Sequence, residues 1–138
     1  MNGYLVDTNI LSELTRPQPT PQVEAFLRRS TDKICVSVFS IGEIHKGIEA
    51  LPISNKRAEL EYWLDSEIMP WFGKRVVPVT LAIAECWGKV SVRRCPRPVV
   101  DTVLGATALV HKLVVVTRNV KDYGDMGVTI FNPWELGA

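Results

Sequence analysis

The sequence contains few of the residues from which disulfide-rich or zinc-binding domains are built. Its 138 residues include three cysteines and two histidines. The cysteines form no Cys-x-x-Cys pair, and His45 and His111 do not have a spacing typical of metal ligands. These shortages argue against a disulfide framework and against a zinc site.

Long apolar runs and strong net charge are also missing. No stretch approaches the roughly 18 consecutive apolar residues of a membrane span, and no basic region precedes an apolar one at the N-terminus. We therefore expect a soluble, cytoplasmic protein without membrane contacts. The formal net charge is +1, so attraction to nucleic acid would depend on local patches. A chain of 138 residues, 46% of them hydrophobic, predicts a single domain over residues 1–138.

Apolar runs of strand length alternate with longer segments of helical period, which is the pattern of βαβ units and a parallel sheet. The predicted strands cover residues 4–6, 34–38, 75–79, 113–117 and 128–131. Helices are expected after Thr20-Pro21, over residues 40–51, from Ser54 to the segment "MPWFG", and over residues 81–92 and 99–111.

Acidic and amide side chains follow several of these strands. Asp7 follows the first strand, Glu43 lies early in the helix after the second, and Asn119 and Asp122 follow the fourth. Because the carboxyl ends of parallel strands share one edge of the sheet, topology alone brings these residues to the same crevice. Asp101 begins the helix before the fourth strand and joins them only if that helix starts on the same side.

Each acid also has a purely structural interpretation. Asp7 is a good cap for a following helix, and Ser40 with Glu43 fits the S-x-x-E capping box. Asp101 fits the first turn of a helix, where it would complement the dipole, and Asp122 fits a solvated turn. Taken singly, the structural interpretation is favoured for every one of them. Capping alone hardly explains why all four converge.

Four segments resemble, in order, the motifs of PIN-domain ribonucleases, and most closely those of VapC/FitB-like toxins from type II toxin–antitoxin pairs. They are "YLVDTNILSEL", "SVFSIGEIHKGI", "PVVDTVLGATALVHKLVVVTRNVKDY" and "VTIFNPWEL". Across residues 50–95 only the helical pattern matches. The resemblance implies a three-layer α/β/α fold with a central, mostly parallel sheet of about five strands. It also implies a metal-dependent endoribonuclease that acts as a toxin.

The resemblance further implies a set of site residues. The acidic quartet, catalytic and metal-binding, is Asp7, Glu43, Asp101 and Asp122. The polar groups around it are Thr8, Asn9, Thr117 and Asn119. One departure is Gly105, where such families more often have alanine. Glycine costs a helix roughly 0.5–1 kcal/mol relative to alanine, so we expect this change to affect helix stability and not the chemistry.

Physical chemistry gives a reason for such a cluster. Crowded carboxylates repel one another unless a cation offsets their charge, and hard oxygen ligands favour Mg²⁺, with Mn²⁺ as a substitute. Two such ions about 3.5–4 Å apart can activate a water and stabilise the leaving oxygen of a phosphodiester. In this interpretation Asp7 and Asp101 are the principal ligands. Glu43 completes the coordination or orients the water, and Asp122, with Asn119, holds a second ion or a water bound to it.

An RNA substrate would need a positive approach to the acidic cleft. Four arginines close to the motifs are candidates for RNA binding: Arg93, Arg94, Arg97 and Arg118. Contacts of arginines with phosphates fix position without reading sequence. The alternative, that these residues lie in a solvated surface loop, stays open.

Partners and competing functions follow from the same residues. The resemblance implies a cognate VapB/FitA-like antitoxin, a homodimer, and contact with operator DNA only through the antitoxin. One competing function is a non-catalytic partner in a DNA-binding regulatory complex, against which the intact acidic quartet argues. Another is an aspartate-dependent phosphatase, which usually needs a second acid two residues after the first; this chain has Asn9 there.

Overall fold

Five parallel strands form the centre of the molecule. The structure is a computed structural model that describes residues 3–93 and 98–135, apart from the side chain of Arg93. The strands are β1 (Tyr4–Val6), β2 (Ile34–Ser37), β3 (Val76–Val77), β4 (Val114–Val116) and β5 (Ile130–Phe131). Their order in the sheet is β3-β2-β1-β4-β5, and every neighbouring pair is parallel. The expected five-stranded sheet is confirmed.

Seven α-helices lie in the described connections between the first four strands, and the connection from β4 to β5 has only a short 3₁₀ turn. They are α1 (Thr8–Glu13), α2 (Pro21–Arg29), α3 (Val38–Glu49), α4 (Asn55–Trp63), α5 (Met69–Phe72), α6 (Leu81–Arg93) and α7 (Val99–His111). A π-helical turn, Leu64–Ile68, joins α4 to α5, and short 3₁₀ turns cover Thr31–Lys33, Gly73–Arg75, Val120–Tyr123 and Pro133–Glu135. Within the described ranges, no helix is long and apolar enough to cross a membrane.

Alternation along the strands produces three layers. Val6, Val36 and Val116 are fully buried on one face of the sheet, together with apolar side chains of α1, α2, α3, the π turn and α5. Leu5 and Val115 face the other side and pack with residues of α6 and α7. Since successive side chains of a strand point to opposite faces, β1 and β4 contribute to both cores. The three-layer α/β/α arrangement is confirmed.

The junction between β2 and α3 differs from the expectation. The strand ends at Ser37 and the helix begins at Val38, where the sequence predicted strand. Ser37 Oγ accepts a hydrogen bond from Phe39 N at 3.0 Å and caps the helix. The capping box expected from Ser40 and Glu43 is therefore wrong. The hydroxyl of Ser40 is buried within the helix and has no hydrogen-bond partner among the described residues.

Arg75 holds the end of the long helical run against the edge of the sheet. Its Nη1 donates to the carbonyl oxygens of Thr31 and Ile34, the latter at 2.9 Å. Its Nη2 donates to Trp71 O at 2.5 Å, and the guanidinium lies 4.6 Å from the centre of the Trp71 ring. One planar side chain thus joins the backbone of α5 to the start of β2 and to the turn before it.

Replacing this arginine tests that role. We expect Arg75→Lys to lower the free energy of unfolding by about 1–3 kcal/mol, because one ammonium cannot reach three carbonyls or stack on the ring. Urea unfolding measures the loss. Arg28→Lys, on the exposed side of α2, is the matched control and should change stability little. An Arg75→Lys protein as stable as the wild type would contradict the assignment.

Candidate metal-binding active site

Asp7 lies where β1 ends, in the middle of the carboxyl edge of the sheet, with 6% of its surface exposed. Its backbone N donates to Val116 O in β4 at 2.9 Å, so the pairing of the two strands fixes its position. Oδ1 accepts from Thr8 N at 2.7 Å, which makes Asp7 the cap of α1. Oδ2 accepts from Thr117 Oγ1 at 2.8 Å. Helix capping therefore explains the hydrogen bond that Oδ1 accepts, but it does not explain the one that Oδ2 accepts.

The amide and hydroxyl groups expected around Asp7 form one connected framework. Thr117 is fully buried, and its hydroxyl oxygen accepts from Asn9 Nδ2 at 3.2 Å and from Asn119 N at 3.0 Å. The other end of the Asn9 amide, Oδ1, accepts from Arg118 N at 3.3 Å. These bonds join the turn after β1 to the turn after β4 and hold the Asp7 carboxylate between them.

Glu43 reaches the same place from α3. Its Oε1 accepts a hydrogen bond from Thr8 Oγ1 at 2.5 Å, so it is bonded to the residue next to Asp7. Both side chains line a cavity of about 170 Å³ between α1, α3 and α4. The Glu43 carboxylate thus points away from its own helix terminus and toward the sheet edge.

Asp101 in the first turn of α7 completes the cluster with Asp122. Burial is the main cause that raises the pKa of Asp101 from its usual value of 3.8 to about 6. The charges of Asp7, Asp122 and Glu43 and a hydrogen bond with the Asp122 side chain raise it further. A helix N-terminus alone would lower this pKa. The start of α7 therefore lies on the same side as the other acids, as the sequence argument required.

Tyr123 is a member of the site that the sequence analysis did not single out. Its hydroxyl donates to Asp7 Oδ2 at 3.1 Å, and its side chain is fully buried. Burial, followed by the charge of Asp7, raises the pKa of Tyr123, so the hydroxyl remains a donor. The sequence signal was the hydroxyl in "VKDY", but a buried aromatic residue is usually explained by packing alone.

Only one of the four arginine candidates is described with its side chain. Arg118 is exposed beside the site, with its guanidinium 4.8 Å from the centre of the Trp134 ring. It lines an open cavity of about 370 Å³ together with Asn119, Lys121 and Asp122. The side chain of Arg93, at the end of α6, lies outside the described residues, as do Arg94 and Arg97.

The donor set fits a divalent cation held by a few carboxylates. Within residues 3–93 and 98–135, no three His, Cys, Asp or Glu side chains are arranged as a ready-made metal cage. Mg²⁺ rarely uses such a cage, because it keeps several waters and binds through one or two carboxylates plus substrate phosphates. The groups that perturb Asp101 are all carboxylates, with no cationic side chain among them. A small, hard cation would relieve that repulsion.

A family model described as the PIN domain matches residues 4–123. The chain belongs to the PIN-domain family. It is 30% identical over 135 residues to the toxin FitB of Neisseria gonorrhoeae, covering 94% of this chain and 97% of FitB. It is 27% identical over 136 residues to the VapC ribonuclease Y4jK of Sinorhizobium fredii, covering 95% of this chain and 97% of that protein.

Solved structures give the same result for the fold. The crystal structure of FitAcB from Neisseria gonorrhoeae matches with a TM-score of 0.88 at 30% identity, covering 96% of this chain and 99% of that chain. DNA-bound VapBC from Salmonella typhimurium matches with a TM-score of 0.74 at 20% identity, covering 96% and 99%, which supports the fold alone. The expected resemblance to VapC/FitB-like PIN-domain proteins is confirmed.

The raised pKa of Asp101 leads to a pH-dependent stability prediction. Asp101 ionises with a pKa near 3.8 in the unfolded chain and with a pKa of about 6 in the folded protein. Its ionisation therefore lowers the stability of the folded protein, and this loss grows as pH rises between the two values. Without metal, Asp101→Asn should therefore raise the thermal midpoint above about pH 7 and leave it nearly unchanged below about pH 4. The matched control is Asp32→Asn, at an exposed site. A midpoint that falls above pH 7 would contradict the electrostatic account.

Proposed function

We propose that this protein is a metal-dependent endoribonuclease that acts as the toxin of a toxin–antitoxin pair. The observation that carries the proposal is a set of four carboxylates, each on a different connection between strands. Three of them, Asp7, Glu43 and Asp122, raise the pKa of the fourth, Asp101. Like charges concentrated at a sheet edge need a cation to offset them. The names of the relatives, a toxin and a VapC ribonuclease, support the same activity.

The proposed metal ligands are Asp7 and Asp101, with Glu43 and Asp122 beside them. When bound, Mg²⁺ or Mn²⁺ would supply the Lewis acidity that activates a water and offsets charge on the phosphate. Asp7 contributes a carboxylate whose direction is already fixed by Thr8 N and Thr117 Oγ1. Glu43, held by the Thr8 hydroxyl, either completes the coordination or orients the attacking water.

Asp122, with Asn119 next to it in the turn after β4, has the remaining role. It hydrogen-bonds to Asp101 and lines the open cavity beside Arg118. We assign it to a second cation or to a water bound to the first. A phosphatase of the aspartyl-phosphate kind is disfavoured, because Asn9 occupies the position of its second acid and uses both ends of its amide within the framework.

Cleavage of a mixed cellular RNA pool by the purified protein, freed of any antitoxin, tests the nuclease activity. With Mg²⁺ or Mn²⁺ the wild type should cut, and with EDTA it should not. Asp7→Asn and Asp101→Asn should each abolish metal-dependent cleavage because each removes a charged ligand, while circular dichroism should show an intact fold. Asp32→Asn provides the control of equal chemistry at an exposed position. A fully active Asp7→Asn protein would contradict the assignment of the metal site.

RNA binding is proposed to use Arg118, with Arg93, Arg94 and Arg97 as further candidates. Stacking on Trp134 holds the Arg118 guanidinium beside Asp122, where its positive charge would offset the repulsion between a phosphate and the carboxylates. The positively charged Arg118 guanidinium would therefore contact a phosphodiester that enters the cleft.

Replacing Arg118 by alanine should weaken binding of single-stranded RNA and reduce the salt slope of the logarithm of the affinity by about 1. Fluorescence anisotropy in EDTA across a salt titration measures both without cleavage. The control is Arg28→Ala, since Arg28 lines a cavity with Tyr4 at the opposite, amino end of β1. If the two variants show the same affinity and slope, Arg118 is not part of the RNA path.

The proposed partners follow from the relatives. The structures similar to this chain include FitAB bound to a DNA fragment, at 28% identity with a TM-score of 0.88. By analogy, we propose a VapB/FitA-like antitoxin that inhibits this protein and through which the pair contacts operator DNA. A homodimer of the toxin is proposed on the same basis.

A further inference from the structure

The Asp7 carboxylate is held by more donors than a helix cap requires. Oδ2 accepts from two hydroxyls, Thr117 Oγ1 at 2.8 Å and Tyr123 OH at 3.1 Å, and Oδ1 accepts from Thr8 N at 2.7 Å. A carboxylate has about four lone-pair positions. The three bonds saturate Oδ2 and leave a lone pair on Oδ1 for a further ligand.

Packing on the far side of the ring keeps Tyr123 in place. A Cβ at position 105 of α7 would lie 2.2 Å from Met126 Cε and 3.7 Å from Tyr123 Cδ1, so Gly105 makes room for the buried Met126. Met126 and Tyr123 belong to the same core cluster. Gly105 therefore has a packing role besides the expected effect on helix stability. Its expected lack of effect on the chemistry stays a prediction. Its missing side chain leaves space for the group that packs with Tyr123.

A phenylalanine would fill the same ring volume, so packing does not explain the hydroxyl. Burying a phenol costs free energy unless it is hydrogen-bonded, and the Tyr123 hydroxyl donates to Asp7 Oδ2. The bond also differs from that of Thr117. Thr117 belongs to the framework of Asn9 and Asn119 as well, whereas the Tyr123 hydroxyl, within residues 3–93 and 98–135, bonds to the Asp7 carboxylate alone.

We propose that Tyr123 is a positioning residue for the metal: its hydroxyl, together with that of Thr117, fixes Asp7 Oδ2 so that Oδ1 is presented to the cation. This inference rests on the proposed function. Groups that hydrogen-bond to a metal ligand typically change metal affinity by 10–100-fold when removed. Without the hydroxyl, the carboxylate regains rotational freedom and must lose it again on binding.

Metal binding measured directly tests the proposal. Binding of Mn²⁺ to the purified protein, followed by electron paramagnetic resonance, should be about 10–100-fold weaker in Tyr123→Phe than in the wild type. Tyr62→Phe makes the same chemical change at a tyrosine that is 67% exposed and should bind Mn²⁺ like the wild type. Raising the Mn²⁺ concentration should restore most of the RNA cleavage by Tyr123→Phe, which damage to the fold would not allow.

The outcomes separate this inference from the proposed nuclease. If the wild type binds no Mn²⁺, both fail together. If the wild type binds Mn²⁺ and the Tyr123→Phe variant binds it equally or more tightly, the proposed role of Tyr123 is overturned. The proposed nuclease function is not affected by that result.

A double-mutant cycle of Tyr123→Phe and Asp7→Ala, measured in metal-free protein, gives a second test. It stays informative even if Tyr123→Phe makes the protein less stable. Tyr123→Phe should lower the thermal midpoint more in the wild type than in the Asp7→Ala background, where the acceptor is absent. Equal shifts in both backgrounds would mean that the hydroxyl does not act through Asp7, and would overturn the proposal.

Discussion

The parallel pairing of β1 with β4 is the constraint on which the rest of the site depends. Val6 lies opposite Val116, and the next backbone bond, from Asp7 N to Val116 O, carries the pairing one residue beyond the strand. Asp7 and Thr117 therefore leave neighbouring strands side by side, close enough for a 2.8 Å hydrogen bond. Connections run outward from this pair in both directions, as at a switch point of an open α/β sheet. The helices they contain bring the other acids to the same edge.

Two acids near this edge show how local donors decide the role of a carboxylate. Glu13 is buried, but its pKa is lowered, first by the Thr20 hydroxyl and backbone N–H, each 2.7 Å from Oε2, and also by Arg16. Its charge is satisfied within the protein and it ties α1 to the start of α2. Asp101 instead has its pKa raised by burial and by other carboxylates. A folded protein that keeps such a group loses stability, and a bound cation would restore it.

The sequence predicted the features that depend on the hydrophobic pattern and the topology. It failed where a particular side-chain contact decides. Asp7 could be placed because an apolar run followed by polar residues marks the end of a buried strand, and parallel topology gives all such ends one edge. The boundary at Val38 was missed because valine continues the apolar run, while the deciding contact is the Ser37 cap. Tyr123 and the packing role of Gly105 were missed for a different reason. Their partners, Asp7 and Met126, are close to them only in the folded chain.

The aromatic ring that supports the Arg118 guanidinium comes from a different part of the chain than the acids. All four acids lie within the PIN match over residues 4–123, whereas Trp134, which supports the Arg118 guanidinium, lies beyond it. Arg118 joins the two parts, because its backbone N–H bonds to Asn9 in the framework while its side chain stacks on the C-terminal segment. With a net charge of +1, the molecule has little overall field to draw in a polyanion. In the proposed function, a phosphodiester would therefore depend on local cations of this kind to reach carboxylates that would repel it.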